Sequence, residues 1–327
     1  MRLDVKRRSI AMRITALSIQ GRTPADMALK TISYVNANPP WPGKALMLAI
    51  FAEYCRPNTD NKQVEKTIKV LIEHGWKVLR VKAVDDLTSD HYETEHSQIP
   101  EEPLPYWTIV RRNMGHDFGS WRTGLDWAEL HGILDNCTRV MFLNDSIRNW
   151  DSCLADVIQR LDPSIDMMTL TESLEILPHG QSYFMVFSGR AIKHPSFTNF
   201  WATYNLDGDR QYAVLCGELR LSAMLAKNNL SRRSVVSYSA LKSAFKRRCK
   251  VEQTTEQGLL TEGPLSRANI LFALNSGVNL NPVCMFWREL ILDFNLSIAK
   301  NSLIDAEPPL LQDADEIVEL LKSKVSQ

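Results

Sequence analysis

The chain has 327 residues, 44% of them hydrophobic, and its 38 basic side chains equal its 38 acidic ones. That length and apolar content can bury a substantial core, which excludes a disordered tail or linker. Balanced charge leaves no global field toward nucleic acid or an anionic membrane, so no nucleic-acid partner is expected and any such attraction must be local.

Six cysteines without a CxxC pair suit free thiols in a reducing compartment better than a disulfide framework or a zinc site. The basic start (Met1, Arg2, Lys6, Arg7, Arg8) has no apolar h-region after it. The longest apolar run, Ala45 to Ala52, is far short of the roughly 18 residues of a membrane span. The expected location is therefore cytoplasmic.

Residues 1–43 mix basic and apolar side chains and end in Pro39-Pro40-Trp41-Pro42-Gly43, which reads as an N-terminal extension. Ala45 to Phe51 predicts a strand buried on both faces. Val64, Ile68, Leu71 and Ile72 then fall on one helical face, with Gly75 as the stop. Lys77 to Val81 predicts a second strand, and the three elements form one right-handed parallel crossover. After an acidic, Pro-containing loop over 84–105 come strand candidates at Trp107–Val110 and Arg139–Leu143. A helix through Leu154, Val157, Ile158 and Leu161 follows, then strands at Met167–Thr171 and Tyr183–Phe187. This alternation indicates a doubly wound α/β sheet. Beyond Ser188 helices dominate: Phe197–Tyr204, Leu215–Ala226, Tyr238–Arg248 and segments around Ile270–Leu274 and Ile317–Leu321, with an irregular loop over 250–268.

Ligands of open α/β sheets bind beyond the carboxyl ends of the strands, so the polar residues after each apolar run are the ones to inspect. Arg112-Asn113-Met114-Gly115-His116-Asp117 leads into Phe118-Gly119-Ser120-Trp121, which joins charge, close backbone approach and an aromatic surface. The glycines also suit a tight turn, and Trp121 a helix anchor. Asn144-Asp145-Ser146 ends a buried strand, where a carboxylate can hold a divalent cation or a sugar hydroxyl, or simply make a turn. His179 and Gln181 alternate ahead of a strand. Glu218 falls on the apolar arc shared by Leu215, Leu219, Leu221, Ser222 and Leu225, a costly place for an acid unless it is paired or functional. The plainer alternative is a first-turn acid near Gly217 favoured by the helix dipole. The sequence lacks GxxxxGK[ST], GxGxxG after a strand, HExxH and GxSxG, which argues against a P-loop nucleotidase, a Rossmann dehydrogenase, a zincin and a standard α/β-hydrolase.

Arg112-Asn113-x-Gly115-x-Asp117-x-Gly119-Ser120-Trp121-x-x-Gly124-Leu125, then Phe142-Leu143-Asn144-Asp145-Ser146, then His179-x-Gln181-Ser182-Tyr183-Phe184 stand in one order. With Glu218, Leu219 and Ser222, and with Asn281-Pro282 and Phe286-Trp287-Arg288-Glu289-Leu290-Ile291, this series resembles the rhamnan synthesis protein F family of glycosyltransferases, over about residues 44–305. The resemblance implies a GT-A-like α/β fold with a mostly helical C-terminal part, divided as an extension (1–43), a catalytic domain (44–235) and a helical region completing the acceptor side (236–327). It implies transfer of rhamnose or another hexose from a nucleotide-sugar donor to a polysaccharide or lipid-linked acceptor. Surface glycans such as lipopolysaccharide O-antigen are the class of product it suggests.

The same resemblance makes Glu218 the catalytic base. It makes Arg112, Asn113, Gly115, Asp117, Trp121, Asn144, Asp145 and Ser146 donor contacts, and His179, Gln181 and Ser182 sugar or phosphate contacts. Arg112, Arg122 and His179 are available to the leaving diphosphate. Asp145 stands where related transferases carry a metal-binding Asp-x-Asp, with one acid in place of two, so a Mg or Mn ion is a possible cofactor. A sugar- or nucleotide-binding subunit without catalysis is the alternative on the same fold. Peripheral contact with the inner membrane face would use Lys242, Lys246, Arg247, Arg248 and Lys250 with Arg232 and Arg233, and a second set at Arg7, Arg8 and Arg13.

Overall fold

The computed structural model describes residues 32–35, 45–55, 62–85, 106–254, 266–305 and 314–325. Most of the extension, the Pro-rich stretch before residue 44, the acidic loop beyond Asp85, residues 255–265 and the basic set at Arg7, Arg8 and Arg13 lie outside the described residues. The contacts divide the chain into two compact units whose segments interleave. The first holds 1–145, 162–168 and 182–232, and the second holds 146–161, 169–181 and 233–327.

In the first unit β2 (Leu46–Tyr54) is buried on both faces, as its unbroken apolar run requires of a central parallel strand. It pairs in parallel with β3 (Lys77–Val84) on one side and β5 (Cys137–Asn144) on the other, and β3 pairs in parallel with β4 (Trp107–Arg112). Two antiparallel strands extend this core. β1 (Ile32–Val35) pairs with β4, and β9 (Phe184–Ser188) pairs with β5. The order is thus β1-β4-β3-β2-β5-β9. The extension expected over 1–43 contributes one of these strands.

Helix α1 (Lys62–Glu73) joins β2 to β3, and α2 (His116–Leu130) joins β4 to β5. They cover opposite faces. Gly124 of α2 lies so close to the sheet that an added Cβ would sit 2.6 Å from Ile50 Cγ2 and 3.3 Å from Leu79 Cδ2. On the other face Arg80 pairs with Glu65 of α1. The chain therefore winds outward through β3 and β4, then returns across β2 to β5, and the doubly wound arrangement expected from the sequence is present. That direction reverses between β2 and β5, the kind of place where ligands of open α/β sheets bind.

The rest of the first unit is helical. A short α4 (Gly189–Ile192) and α5 (Pro195–Ala202) precede one continuous helical stretch made of α6 (Arg210–Tyr212), a π-helical segment (Ala213–Leu219) and α7 (Arg220–Lys227). Asp209 caps it by accepting from the Tyr212 N–H at 2.8 Å. An aromatic cluster locks α2 to α5. Phe118 stacks on Tyr204 at 5.4 Å and on Trp201 at 5.8 Å, and meets Trp121 edge-on at 5.1 Å.

The second unit takes β6 (Ile147–Arg148), α3 (Trp150–Gln159), most of β7 (Met167–Ser173), β8 (His179–Gly180) and most of β10 (Arg232–Val236). Its helices are α8 (Tyr238–Thr254), α9 (Arg267–Asn275), α10 (Pro282–Met285), α11 (Trp287–Leu292), α12 (Asn301–Ile304) and α13 (Ala314–Val325), with a two-residue β11 (Ala299–Lys300) paired to β6. Helix α8 runs through positions 250–254, the start of the expected irregular loop. A core of Trp287, Ile291, Ala299, Leu303, Ile317 and Leu321 ties the last helices together. Within it Glu289 is fully buried and accepts from Arg267 Nη2 at 3.1 Å. The six cysteines are free thiols. Among the described residues no helix is long and apolar enough to cross a membrane.

Candidate active site

Because β2, β3, β4 and β5 are parallel, their carboxyl ends share one edge of the sheet. At that edge Tyr54 ends β2, Asp85 follows β3, Asn113 follows β4 and Asp145 follows β5. These four residues are bonded to one another. The Tyr54 N–H donates to Asp145 Oδ2 at 2.8 Å, across the switch point. The Asp145 N–H donates in turn to the Ala52 carbonyl at 3.2 Å, and the Asn113 N–H to the Val84 carbonyl at 2.7 Å. Tyr54 Oη and Asn113 Nδ2 both donate to Asp85.

Asp117, in the first turn of α2, joins the group because Asn144 Nδ2 donates to its Oδ2 at 2.7 Å. Asp145 responds to this company. Burial pushes its carboxyl up to about 7, Asp117 and Glu53 push the same way, and the Tyr54 N–H partly opposes them.

The loop before α2 needs its glycines. Gly115 is the N-cap in the left-handed region (φ 71°), and a Cβ there would lie 3.1 Å from Leu206 Cα. At Gly119 a Cβ would collide with the Met114 carbonyl. Beneath the loop Arg111 is fully buried, donating to the Met114 carbonyl at 2.7 Å and to Ser120 Oγ at 3.2 Å, and burial lowers its guanidinium to about 10. Arg112, by contrast, is exposed at the end of β4.

Glu218 lies in the π-helical segment, a geometry with one extra residue per turn that recurs at functional sites. Since the helical stretch begins at Arg210, Glu218 is more than two turns inside it, and the first-turn dipole reading does not apply. Its Oε1 accepts from both the N–H and the hydroxyl of Ser182, which fixes the carboxylate. Gly217 beside it presses on Phe118, with an added Cβ 2.6 Å from the ring. Phe118 follows Asp117 in the chain, so Glu218 and Asp117 are each one residue from this interlocked pair.

The expected site residues thus separate. Arg112, Asn113, Gly115, Asp117, Asn144, Asp145, Ser182 and Glu218 all belong to the first unit. Trp121 belongs there too but is 0% exposed, its Nε1 donating to the Leu143 carbonyl at 3.0 Å, so its ring anchors α2 and offers a ligand no stacking face. Arg122 is similarly buried, with Nη1 on the Tyr204 carbonyl at 2.7 Å. Ser146, His179 and Gln181 fall in the second unit. There the Ser146 carbonyl accepts from Asn301, and the buried His179 ring bonds the Leu177 carbonyl at 2.7 Å. Gln181 accepts from Thr171 at 2.7 Å and donates to Asn281 at 3.2 Å. Among the described residues no group of three or more His, Cys, Asp or Glu is placed to hold a metal ion.

Sequence reasoning missed Tyr54, Asp85, Arg111 and the buried Glu53–Arg80 pair. Arg80 Nη2 donates to Glu53 Oε1 at 3.1 Å, with Nε on Oε2, and Glu53 directly precedes Tyr54. A lone acid in one buried strand and an arginine at a buried position of the next was the available signal.

The model of the rhamnan synthesis protein F family matches residues 88–265, more than half of the chain. The chain belongs to the rhamnan synthesis protein F family. The match takes in β4, α2, β5 and the Glu218 helix, which carry the first-unit site residues. Within curated proteins this family member is 24% identical to the virulence protein VirA of Vibrio anguillarum over 216 residues, 64% of this chain and 67% of VirA. Among solved structures it aligns with a mannosyltransferase from Pyrobaculum calidifontis, in complex with GDP-Man and Mn2+, over 99% of this chain and 87% of that one, at a TM-score of 0.30 and 9% identity. That likeness is too slight to add to the fold.

Proposed function

We propose that the chain is a glycosyltransferase that moves rhamnose or another hexose from a nucleotide-sugar donor to a polysaccharide or lipid-linked acceptor. The observation that carries this reading is the hydrogen-bonded polar group at the topological switch point, where Asn113, Asp117, Asn144 and Asp145 stand beside the glycine-bounded start of α2. Membership in a polysaccharide-synthesis family supports it. GT-A-like sheets use this end of the strands for the activated donor.

The chemistry of this edge of the sheet restricts how a diphosphate could be held. Asp85, Asp117 and Asp145 would repel it, so a Mg or Mn ion would be a natural complement, supplying positive charge to the diphosphate. Asp145 and Asp117 are the side chains that would carry such an ion. Two carboxylates suit an ion that takes its remaining ligands from water and substrate phosphate. When bound, the ion would neutralise charge on the leaving diphosphate.

The protein's own residues have separate tasks. Asn113 and the Gly115 backbone line the approach to the donor, with exposed Arg112 at its rim. Glu218, oriented by Ser182, takes the proton of an acceptor hydroxyl as its oxygen bonds to the anomeric carbon, while the anomeric carbon–phosphate oxygen bond breaks and the nucleoside diphosphate leaves. The basic face of α8, Lys242, Lys246, Arg247 and Lys250, would rest against anionic lipid on the cytoplasmic side where a lipid-linked acceptor resides.

The test is a thermal-shift screen of nucleotide sugars with and without Mg or Mn, repeated on Asp145→Asn. A donor raises the melting temperature of the native protein and loses that effect in the variant. Stabilisation equal in both would place the donor elsewhere. Binding without turnover on any acceptor would favour the non-catalytic subunit.

A further inference from the structure

Helices α8 and α9 belong to the second unit and pack on each other. On α8 Leu241, Ala244, Phe245 and Cys249 are buried, and at about 100° per residue the opposite half of the helix carries Lys242, Lys246, Arg247 and Lys250. Among the described residues no acid pairs with any of these four, whereas Arg248, on another side of the helix, is held by Asp293 at 2.6 Å. Four like charges on one helical half repel one another unless something anionic covers them.

Helix α9 sets an apolar group beside this charge. Arg267 at its start lies over the Phe245 ring at 4.5 Å, and Asn275 at its end accepts from Lys246 Nζ at 2.8 Å. Ile270 and Leu274 are its buried residues, and Phe272, about 200° around the helix from each, points outward and is 74% exposed. Asn275 is only about 60° from Phe272, so the phenyl ring stands on the side of α9 that meets Lys246. Val278, just beyond the helix, is 47% exposed. A scattered exposed hydrophobe needs no explanation, but an outward phenyl bordering unpaired cations presents the two groups that a bilayer surface takes up at adjacent depths. Lipid phosphates meet the cations, and the boundary of headgroup and acyl chain meets the ring. Nucleic-acid phosphates would also meet the lysines, but an aliphatic Val278 offers a base no stacking surface.

We propose that the face built by α8 and α9 docks on an anionic bilayer, with Phe272 entering the boundary of headgroup and acyl chain while Lys242, Lys246, Arg247 and Lys250 hold lipid phosphates. The inference rests on the α8 lipid contact of the reading above, to which it adds an apolar anchor, and it needs no part of the transfer chemistry.

The test is flotation of the full chain with phosphatidylcholine vesicles containing about 30% phosphatidylglycerol. Wild type floats with these vesicles and stays behind with phosphatidylcholine alone. Lys246→Gln combined with Lys250→Gln weakens partition at least about tenfold, and Phe272→Ser at least about fivefold, while the melting temperatures hold. Phe272→Trp reports depth: lipids brominated on the acyl chains quench its fluorescence more than that of wild type, whose own tryptophans set the baseline. Partition unchanged in Phe272→Ser, or quenching of Phe272→Trp no greater than wild type, overturns the anchor even where the lysines still bind lipid. Failure to partition into anionic vesicles, alone or with binding to RNA instead, overturns the membrane face. Nucleotide-sugar stabilisation of the same proteins, measured without lipid, reports the donor site separately, so the transferase reading and the membrane face can each fail alone.

Discussion

Gly217→Ala tests whether the π-helical segment is held by its contact with α2. The new methyl would lie 2.6 Å from Phe118 Cε2 and 2.8 Å from Cδ2 and Cζ. Carbon atoms rest at about 3.5–4.0 Å, so the overlap approaches an ångström over three ring atoms. The ring has nowhere to go: Tyr204 and Trp201 stack on it and Trp121 meets it edge-on. Overpacking of this kind costs about 1–3 kcal/mol. Replacing a helical glycine by alanine returns about 1 kcal/mol of propensity. The net expectation is a loss of up to about 2 kcal/mol, read as a lower urea midpoint for the first unit. Phe118→Leu, which trades the rigid ring for a smaller flexible side chain, should absorb much of the clash. The double variant is then less destabilised than the sum of the singles, the sign of direct coupling. A Gly217→Ala protein at least as stable as wild type, or strict additivity in the cycle, would refute the reasoning.

Glu218→Gln should lower turnover by at least about a hundredfold with nucleotide-sugar affinity unchanged, as measured by steady-state transfer beside calorimetric binding; near-normal turnover removes it as the base. Arg80→Met strands the buried Glu53 carboxylate and should cost about 3–5 kcal/mol in denaturant unfolding, whereas Arg80→Met with Glu53→Leu recovers most of it. A small loss in the single variant would mean that Glu53 finds water. Asp126 is pushed up to about 6, chiefly by burial, with Arg122 opposing and Glu129 adding to the rise. The folded chain therefore binds more protons than the unfolded one between about pH 4 and 6, and wild type loses stability as pH rises through that window. Relative to wild type, Asp126→Asn should gain up to about 3 kcal/mol from pH 4 to pH 7. A stability difference that is flat with pH would show that Asp126 titrates normally.

The parallel core was legible because its strands are mostly apolar, β2 as an unbroken run, and Asn113 and Asp145 because polar residues follow those strands directly, with Asp117 in the next helical turn. The order of the strands then brought them together, which the α1 and α2 crossovers already implied. What escaped were partnerships between distant residues. Tyr54 meets Asp145 across 91 positions, and Arg80 meets Glu53 across 27. Trp121 looked like a binding surface because exposure is set by neighbours such as Phe142 and Phe118 that only the fold supplies. The π-helical register around Glu218 breaks the 3.6-residue period on which wheel arguments depend. Strands of two residues, such as β6 and β8, carry no pattern to read.

The interleaved segments have a consequence for synthesis. The first unit is incomplete until position 232 has been made, and by then residues 146–161 and 169–181 of the second unit have already left the ribosome without most of their partners. Those segments must wait for 233–327, so folding during translation cannot proceed unit by unit from the amino end as it does in chains whose domains follow one another. No single cut in the gene yields either unit whole. Separating them for study would require circular permutation or splicing of the three pieces that build each one.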